Sequence, residues 1–575
     1  MEDVTRVEWR EWGTTAFDEA AERDVPVLLS LTATWCDHCH EMDAETYAVP
    51  TLAANVNDGF VPVRVDVDRQ PRVRDRYNMG GFPSTVFLAP DGSLLTGAGY
   101  LGQDGLRQVL ESVRTMWQEK GADAGTIPRP LRDTETPSGS LTADVERQML
   151  GQLTDSYDEV AGGWGEQPKF PLPDALEFAL KRDREMALRS FDAVSANLLD
   201  EHEGGFYRFA TERNWSGIQH EKLLDSNAAL VRAFANAYLY TGADTYRQPA
   251  ERTIEYLTTT LWTTGDTTDA DGAAEEETTG TRGAFAGSQA PGDPAAYTLE
   301  ASDREATAEP PVDGTVFAGA NALAVDALCT YHAYTDDERV RRYAERALTT
   351  LREELLENGV VVHHRTPRGE GADETDTNTE PDNVIERGLL ADQARVLQAL
   401  TTARAVLGEG TVEEAVAVAE ATVDRLRDGD SFVDGPADGA GLLERPLRPL
   451  NTNVELADAL LDLAAITGDD RYETIARETL EAFAGASDRF NVQVARYASV
   501  TTRVLEGTLV IRVGSPAGSD LHRAACRIAD HEKVVVPDAS DVQDGEAVAT
   551  MGDRSTAPVT TPAELSEQLA TLLSA

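Results

Sequence analysis

The sequence predicts a multidomain chain: an α/β domain first, a long all-α domain next, and a small α/β lobe at the end. Three observations carry this. Up to residue 122, short apolar runs alternate with helical patterns around a Cys-x-x-Cys pair, Cys36-Asp37-His38-Cys39. Over 141–505, helical patterns recur at spacings of roughly 40 to 60 residues. Over 506–575, valine-rich runs return, as in Leu509-Val510-Ile511-Arg512-Val513 and Val534-Val535-Val536.

In the first segment, Trp9, Trp12, Phe17 and Ala20-Ala21 mark an amphipathic helix before the first strand, Val27–Thr32. A tight turn and a helix opening near Cys36 follow, with helix predicted over Glu41–Asn57. Phe60–Val67 reads as a strand and Arg72–Asn78 as a short helix. Gly80-Gly81-Phe82-Pro83 leads into a strand over Thr85–Ala89, paired through Asp91-Gly92 with Leu94–Tyr100. Gln103–Lys120 closes the domain. This β-α-β-α-β-β-α order, with a proline before a strand behind two glycines, is that of a thioredoxin-like fold, whose X-Pro bond at this place is cis.

The motif sets the chemistry. A cysteine at a helix mouth meets unpaired N–H groups and the positive end of the helix dipole. These move a thiol pKa from about 8.5 into a range of roughly 3.5 to 7.5. Cys36 is the expected attacking thiolate, Cys39 the resolving thiol, and Pro83 the shaper of the substrate groove, with Trp35 beside it. Two other readings stay open. Cys36, His38, Cys39 and His40 are zinc-ligand types, although adjacent helical residues point apart and no second ligand pair follows, so no metal is expected. An inert thioredoxin-like domain kept for binding is the other.

Residues 123–140 are rich in Gly, Pro, Thr and Asp and read as a linker. The helical patterns of 141–505 run over Leu141–Leu153, Leu172–Leu180, Ala187–Leu199, Leu223–Thr241, Tyr246–Thr260, Ala318–Thr335, Glu338–Leu356, Leu389–Leu407, Val412–Arg427, Val454–Thr467 and Arg471–Gly485. Paired helices joined by long loops predict an (α/α)6 six-hairpin toroid. Thr264–Thr281 and Pro367–Pro381 are acidic, low-complexity excursions.

In such a toroid the loops at one end of the inner helices line a funnel, where aromatic and carboxylate groups suit sugar binding and acid–base work. The candidates are Trp164, Lys169, Tyr207, Arg208, Glu221 and Asp225 for binding, and His220 for proton transfer beside a carbonyl. The alternative for His220 is a helix cap, with Glu221 paired to Lys222 or Arg213. Asp392, Gln393 and Asn453 sit at comparable helix starts, where nothing separates them from caps. No glycine-rich nucleotide motif stands between a strand and a helix, and no cofactor is expected.

Acidic residues outnumber basic ones 101 to 51, a formal charge of −50. That argues against nucleic acid and anionic membranes as partners. Arginine supplies nearly all the positive charge. The acidic surface resembles that of proteins from salt-saturated cytoplasm, where the Debye length falls to about 3 Å and screens self-repulsion. The chain should therefore loosen in low salt. Four cysteines make no disulfide scaffold, and no apolar run spans a membrane, so the expected place is the cytoplasm.

Taken together, Trp35-Cys36-Asp37-His38-Cys39-His40, Gly80-Gly81-Phe82-Pro83-Ser84-Thr85, Gly162-Gly163-Trp164-Gly165, Gly204-Gly205-Phe206-Tyr207 and His220-Glu221-Lys222-Leu223-Leu224-Asp225 resemble the spermatogenesis-associated thioredoxin-like family, here as a haloarchaeal-type member. The resemblance implies a thioredoxin-like domain joined to a six-hairpin glycosidase-like barrel. The chain departs from the family at Ala320, where a tryptophan is usual, at Ser288–Asp293, and in lacking cysteines over Ala549–Val559. Three functions are open: protein dithiol/disulfide exchange at Cys36 and Cys39, a carbohydrate-binding or sugar-epimerising barrel around His220, and an interaction protein with neither activity.

Overall fold

The structure, a computed structural model, describes residues 5–132, 135–264, 282–299, 301–366 and 385–574. The two acidic excursions expected over Thr264–Thr281 and Pro367–Pro381 lie almost wholly outside the described residues. The chain divides into two compact units. One holds 1–135, 368–387 and 433–447, and the other holds the remainder.

In the first unit, α1 (Thr14–Arg23) leads into β1 (Val27–Thr32), whose run of apolar residues is buried on both faces. Then come α2 (Asp37–Met42), α3 (Pro50–Gly59), β2 (Val61–Asp66), α4 (Pro71–Tyr77), β3 (Ser84–Leu88), β4 (Leu94–Ala98) and α5 (Gln103–Lys120). The single helix expected over Glu41–Asn57 is interrupted. A wide π-type turn occupies Asp43–Tyr47, and the chain restarts at Pro50, which occupies the first helical position where its missing N–H costs nothing. The sheet order is β2-β1-β3-β4, with β1 parallel to β2 and the other pairs antiparallel. Leu28 and Phe87 from the strands, with Phe60 between α3 and β2, pack with Leu52, Val56, Leu106 and Leu110 from α3 and α5 in one core. Beyond α5, Thr126 exchanges backbone hydrogen bonds with Leu94 at 2.8 and 2.9 Å, so the stretch expected as linker begins by extending the sheet edge.

The second unit is a closed ring of helices. Among the described residues its inner helices are α7 (Pro173–Arg182), α9 (Leu224–Thr241), α12 (Ala318–Thr335), α14 (Leu390–Leu407), α16 (Leu450–Thr467) and α18 (Ala495–Glu506). Each packs on the next, and α18 packs back on α7. The outer helices α6 (Asp144–Ser156), α8 (Arg184–Leu198), α10 (Asp244–Tyr256), α13 (Glu338–Glu354), α15 (Val412–Leu426) and α17 (Asp470–Glu481) each back one inner helix. A short α11 (Ala301–Arg304) lies in an excursion between α10 and α12. The inner helices pack closely through their apolar and small residues. In α12, Ala318, Ala322, Val325, Leu328 and Cys329 are all buried.

Four inner helices begin with the same device. An amide side chain four residues into the helix exchanges two hydrogen bonds with a backbone unit of the preceding turn. Asn227 holds Phe206 (2.6 and 3.1 Å), Asn321 holds Phe285 (2.8 and 3.0 Å) and Asn453 holds Phe432 (2.8 and 2.9 Å). Gln393 accepts from Val361 N–H (2.7 Å) and donates to Gly359 O (3.0 Å). Gln393 and Asn453 thus satisfy buried backbone groups that the helix ladder cannot reach.

The C-terminal lobe belongs to this unit. Val510–Val513 lies between Val534–Val536 and Ala547–Met551, with helices Asp520–Cys526 and Pro562–Ser574 against them. Its segment 530–533 meets the C-terminal ends of the inner helices. Lys181 bonds Asp530 (2.9 Å) and Glu532 (2.8 Å), Arg182 bonds Glu532 (2.8 Å), and Tyr240 lies 3.2 Å from His531 Nδ1.

Candidate functional site

In the first unit the site is built on the turn between β1 and α2. Cys36 caps α2, its sulfur accepting the Cys39 N–H at 3.2 Å, and the two cysteines are joined in a disulfide. In that state neither sulfur is a thiolate for a metal. Cys36 is 6 % exposed and Cys39 2 %. Both cysteines are thus buried at the first turn of α2. Pro83 is buried at the start of β3, and the Phe82–Pro83 bond is cis, as the sequence predicts. Trp35 is buried. Its indole N–H donates to Asp68 Oδ2 at 2.6 Å and its ring meets Phe82 edge-on. It serves as a fixed wall rather than a free donor. His38 is exposed, 3.2 Å from Glu41 and edge-on to Tyr100. Burial raises the Asp37 carboxyl above its ordinary range, against the lowering pull of His40 and His38.

The barrel candidates separate into two groups. The first holds two pairs, Tyr207 with His220 and Arg208 with Glu221. Arg208 pairs with Glu221 at 3.1 Å, so Glu221 takes neither Lys222 nor Arg213. Tyr207 meets the His220 ring edge-on, and Tyr297, from the excursion carrying α11, stacks on it at 3.7 Å between centroids. Burial, helped by the nearby Arg304 and Lys222 charges, pushes His220 down to about 4, so the imidazole is neutral at pH 7.

Lys169, Trp164 and Asp225 lie elsewhere. Lys169 is fully buried, its ammonium donating to Asp158 Oδ2 (3.1 Å), Gly162 O (3.2 Å) and Gly165 O (2.6 Å). It is an internal counter-charge with no hydrogen left for a ligand. Lys222 repeats the arrangement with Asp200 (2.8 Å) and Gly204 O (2.9 Å). Trp164 is buried edge-on to Tyr157. Asp225, half-buried, is held near the Arg395 charge.

Sequence reasoning missed two features. His363 lies 2.7 Å from Asp392 Oδ2, a carboxylate-oriented imidazole at the start of α14. A His363-His364 doublet in a chain with nine histidines was the one available signal. The toroid axis is also ionic. Arg232 bridges Glu177 (2.8 Å) and Asp326 (3.1 Å), and Arg503 bridges Asp458 and Asp462 around a cavity of about 160 Å³. Among the described residues, no group of three or more His, Cys, Asp or Glu side chains is placed to hold a metal ion, and no helix is long and apolar enough to cross a membrane.

Fold and site define the class: a thioredoxin-like domain with a Cys36–Cys39 pair, joined to a six-hairpin helical toroid. For the thioredoxin-like domain, comparison with known proteins agrees. The family model Thioredox_DsbH, a protein of unknown function (DUF255), matches residues 2–128. Spermatogenesis-associated protein 20 of Homo sapiens is 28 % identical over 294 residues, covering 44 % of this chain and 37 % of that protein. The chain thus spans little more than a third of the length of such relatives. Thioredoxin-1 of Drosophila melanogaster is 35 % identical over 81 residues, 14 % of this chain and 72 % of that one. Among solved structures, a D-mannose isomerase aligns over 63 % of this chain and 96 % of its own, at 11 % identity and TM-score 0.45. The resemblance to the spermatogenesis-associated thioredoxin-like family, read from the sequence, holds.

Proposed function

We propose that this chain exchanges disulfides with protein substrates at Cys36 and Cys39. The observation that carries the reading is the placement of the Cys36 sulfur at the cap of α2, bonded to Cys39 within the same helical turn. In the reducing direction the Cys36 thiolate attacks a substrate disulfide, forming a mixed disulfide and expelling one substrate thiolate. Cys39, deprotonated, then attacks Cys36 Sγ and expels the second substrate sulfur, leaving the Cys36–Cys39 disulfide. Two electrons pass to the substrate, and an external dithiol must restore the pair. Pro83 and the Trp35 wall bound the groove. The proposed compartment is a salt-rich cytoplasm, supported by the −50 charge and by two free buried thiols, Cys329 and Cys526, which a reducing environment preserves. The test is insulin reduction by the full chain with dithiothreitol as donor. Wild type is expected to accelerate precipitation and Cys36→Ser to abolish the acceleration; equal rates would end the proposal.

A second reading, a carbohydrate-type barrel, is supported by the half-buried, neutral His220 imidazole held against the Tyr207 and Tyr297 rings. A neutral histidine can take a proton from a carbon beside a sugar carbonyl. Solvent-deuterium exchange into reducing sugars tests it: incorporation should vanish in His220→Ala, and an unchanged rate would remove the reading.

A further inference from the structure

Segment 433–447 lies in sequence between α15 and α16, yet it belongs to the first unit. Its partner there is α4. The Arg76 guanidinium is fully buried, and all five of its N–H groups are used. Nη1 and Nη2 donate to Asp434 Oδ2 and Oδ1 at 2.6 and 3.1 Å, Nη2 to Arg445 O at 2.7 Å, Nε to Leu442 O at 3.0 Å, and Nη1 to Arg72 O at 3.1 Å. One turn earlier, Arg72 donates to Pro436 O (2.6 Å), Leu443 O (2.7 Å) and Asp438 O (3.2 Å). Next to Arg76, the Tyr77 hydroxyl donates to Gly92 O at 2.9 Å and accepts from Leu442 N–H at 3.0 Å. Gly441 is required at the contact: a Cβ there would stand 3.0 Å from both the Trp12 ring and the Tyr77 hydroxyl, at φ +62.

What α4 leads into gives this clamp its meaning. Immediately after Tyr77, Asn78 Oδ1 accepts the N–H groups of Gly80 (2.8 Å) and Gly81 (3.0 Å). Met79 N–H donates to Ser84 Oγ (3.0 Å), which donates to Gly81 O (2.7 Å). Pro83 sits inside this short hydrogen-bonded loop. The chain from Arg76 to Pro83 is thus eight residues long and bonded along most of its length, with its upstream end fixed by segment 433–447. A buried arginine with every donor satisfied allows α4 one orientation, because any rotation strands a buried charge.

We propose that Asp434, with segment 433–447, is a positioning element for the disulfide site, setting through Arg76 and α4 where the Pro83 loop lies against the substrate. The proposal rests on the exchange reading above for its functional consequence, but not for its structural one. Two readouts on the full chain keep them apart. Amide hydrogen exchange at Met79, Gly80 and Gly81 reports the loop whether or not the cysteines turn over. In Asp434→Ala it is expected to quicken on the order of ten-fold, while amides of β1, in the middle of the sheet, do not change. In insulin reduction, KM should rise on the order of ten-fold, while attack of reduced Cys36 on a small aromatic disulfide changes less than about two-fold. A variant that is merely less stable would quicken β1 as well, and would lower both reactions in proportion to its unfolded fraction. Should Asp434→Ala fail to fold, Tyr77→Phe removes only the hydroxyl that joins Leu442 to Gly92, and it should quicken the same three amides. Unchanged exchange at Met79–Gly81 in a folded variant, or equal quickening in β1, overturns the proposal. Faster loop exchange in a chain that never reduces insulin leaves the positioning standing and removes the enzyme.

Discussion

Lysine is scarce in this chain: Lys120, Lys169, Lys181, Lys222 and Lys533 are its only ones against 51 basic residues. Four of them are bonded inside the second unit. Lys169 sits among two carbonyl oxygens and one carboxylate, and Lys222 between one carbonyl and two carboxylates, pockets that suit a compact ammonium and not a planar guanidinium. Lys169→Met should therefore cost about 3 kcal/mol in urea unfolding, since it leaves Asp158 buried with Arg213 alone, and Lys169→Arg should not rescue it. The sequence offered Lys169 as a binding candidate at the funnel. It could not say whether the ammonium faces a ligand or the chain's own carbonyls, because burial is decided by residues far away. His220 was legible in the same partial way. Its imidazole is held down to about 4 by burial and by Arg304 and Lys222, against 6.5 in the unfolded chain. Between those values the unfolded chain binds the extra proton. The stability this histidine contributes is thus full above pH 6.5 and is lost as pH falls toward 4. Replacing it with Asn should flatten that part of the stability curve; curves that stay parallel would show that folding leaves the His220 pKa unshifted.

At the scale of elements, periodicity located most helices and strands to within a few residues, because most inner helices are rich in apolar and small residues and each outer one is apolar on a single face. It missed α18, whose alternation of Arg, Tyr and Thr with valine hides an apolar stripe, and the strand Ala547–Met551. It also ran α2 and α3 together across Pro50. The amide clamps were invisible for a different reason. An Asn four residues into a helix looks the same in sequence whether it faces water or a buried turn. Asn321→Leu leaves the N–H and C=O of Phe285 unpaired in the interior and should cost about 3 kcal/mol, measured by urea unfolding. A loss below about 0.5 kcal/mol would mean that water replaces the side chain. The arginines and carboxylates of the toroid axis were likewise unreadable. On a linear pattern Arg232, Asp326 and Asp458 resemble a solvated face, and only ring closure turns that face inward.

For the whole molecule, the architecture was legible because texture changes where the fold does, but its boundaries were not. Segment 433–447 reads as an ordinary loop between two toroid helices, yet it packs in the first unit through Arg72, Arg76 and Tyr77. A pattern of local periodicity holds no information about a partner more than 350 residues away. The charge of −50 acts at this scale too. Self-repulsion between exposed carboxylates destabilises the compact state and is screened by salt. The melting temperature should rise steadily as potassium chloride increases from about 0.1 to about 3 M, by more than the same salt gives an uncharged protein of equal size. A flat response would show that the carboxylates are already neutralised within the fold.

The central claim is that the first turn of α2 stabilises a thiolate at Cys36. It is tested most directly by reducing the full-length Cys39→Ser variant and following alkylation of Cys36 by iodoacetamide across pH, with Cys329 and Cys526 protected by burial. The account predicts a half-maximal rate at a pH below about 7.5. A midpoint near 8.5, the value of a free cysteine, or no reaction until the chain unfolds, would contradict it.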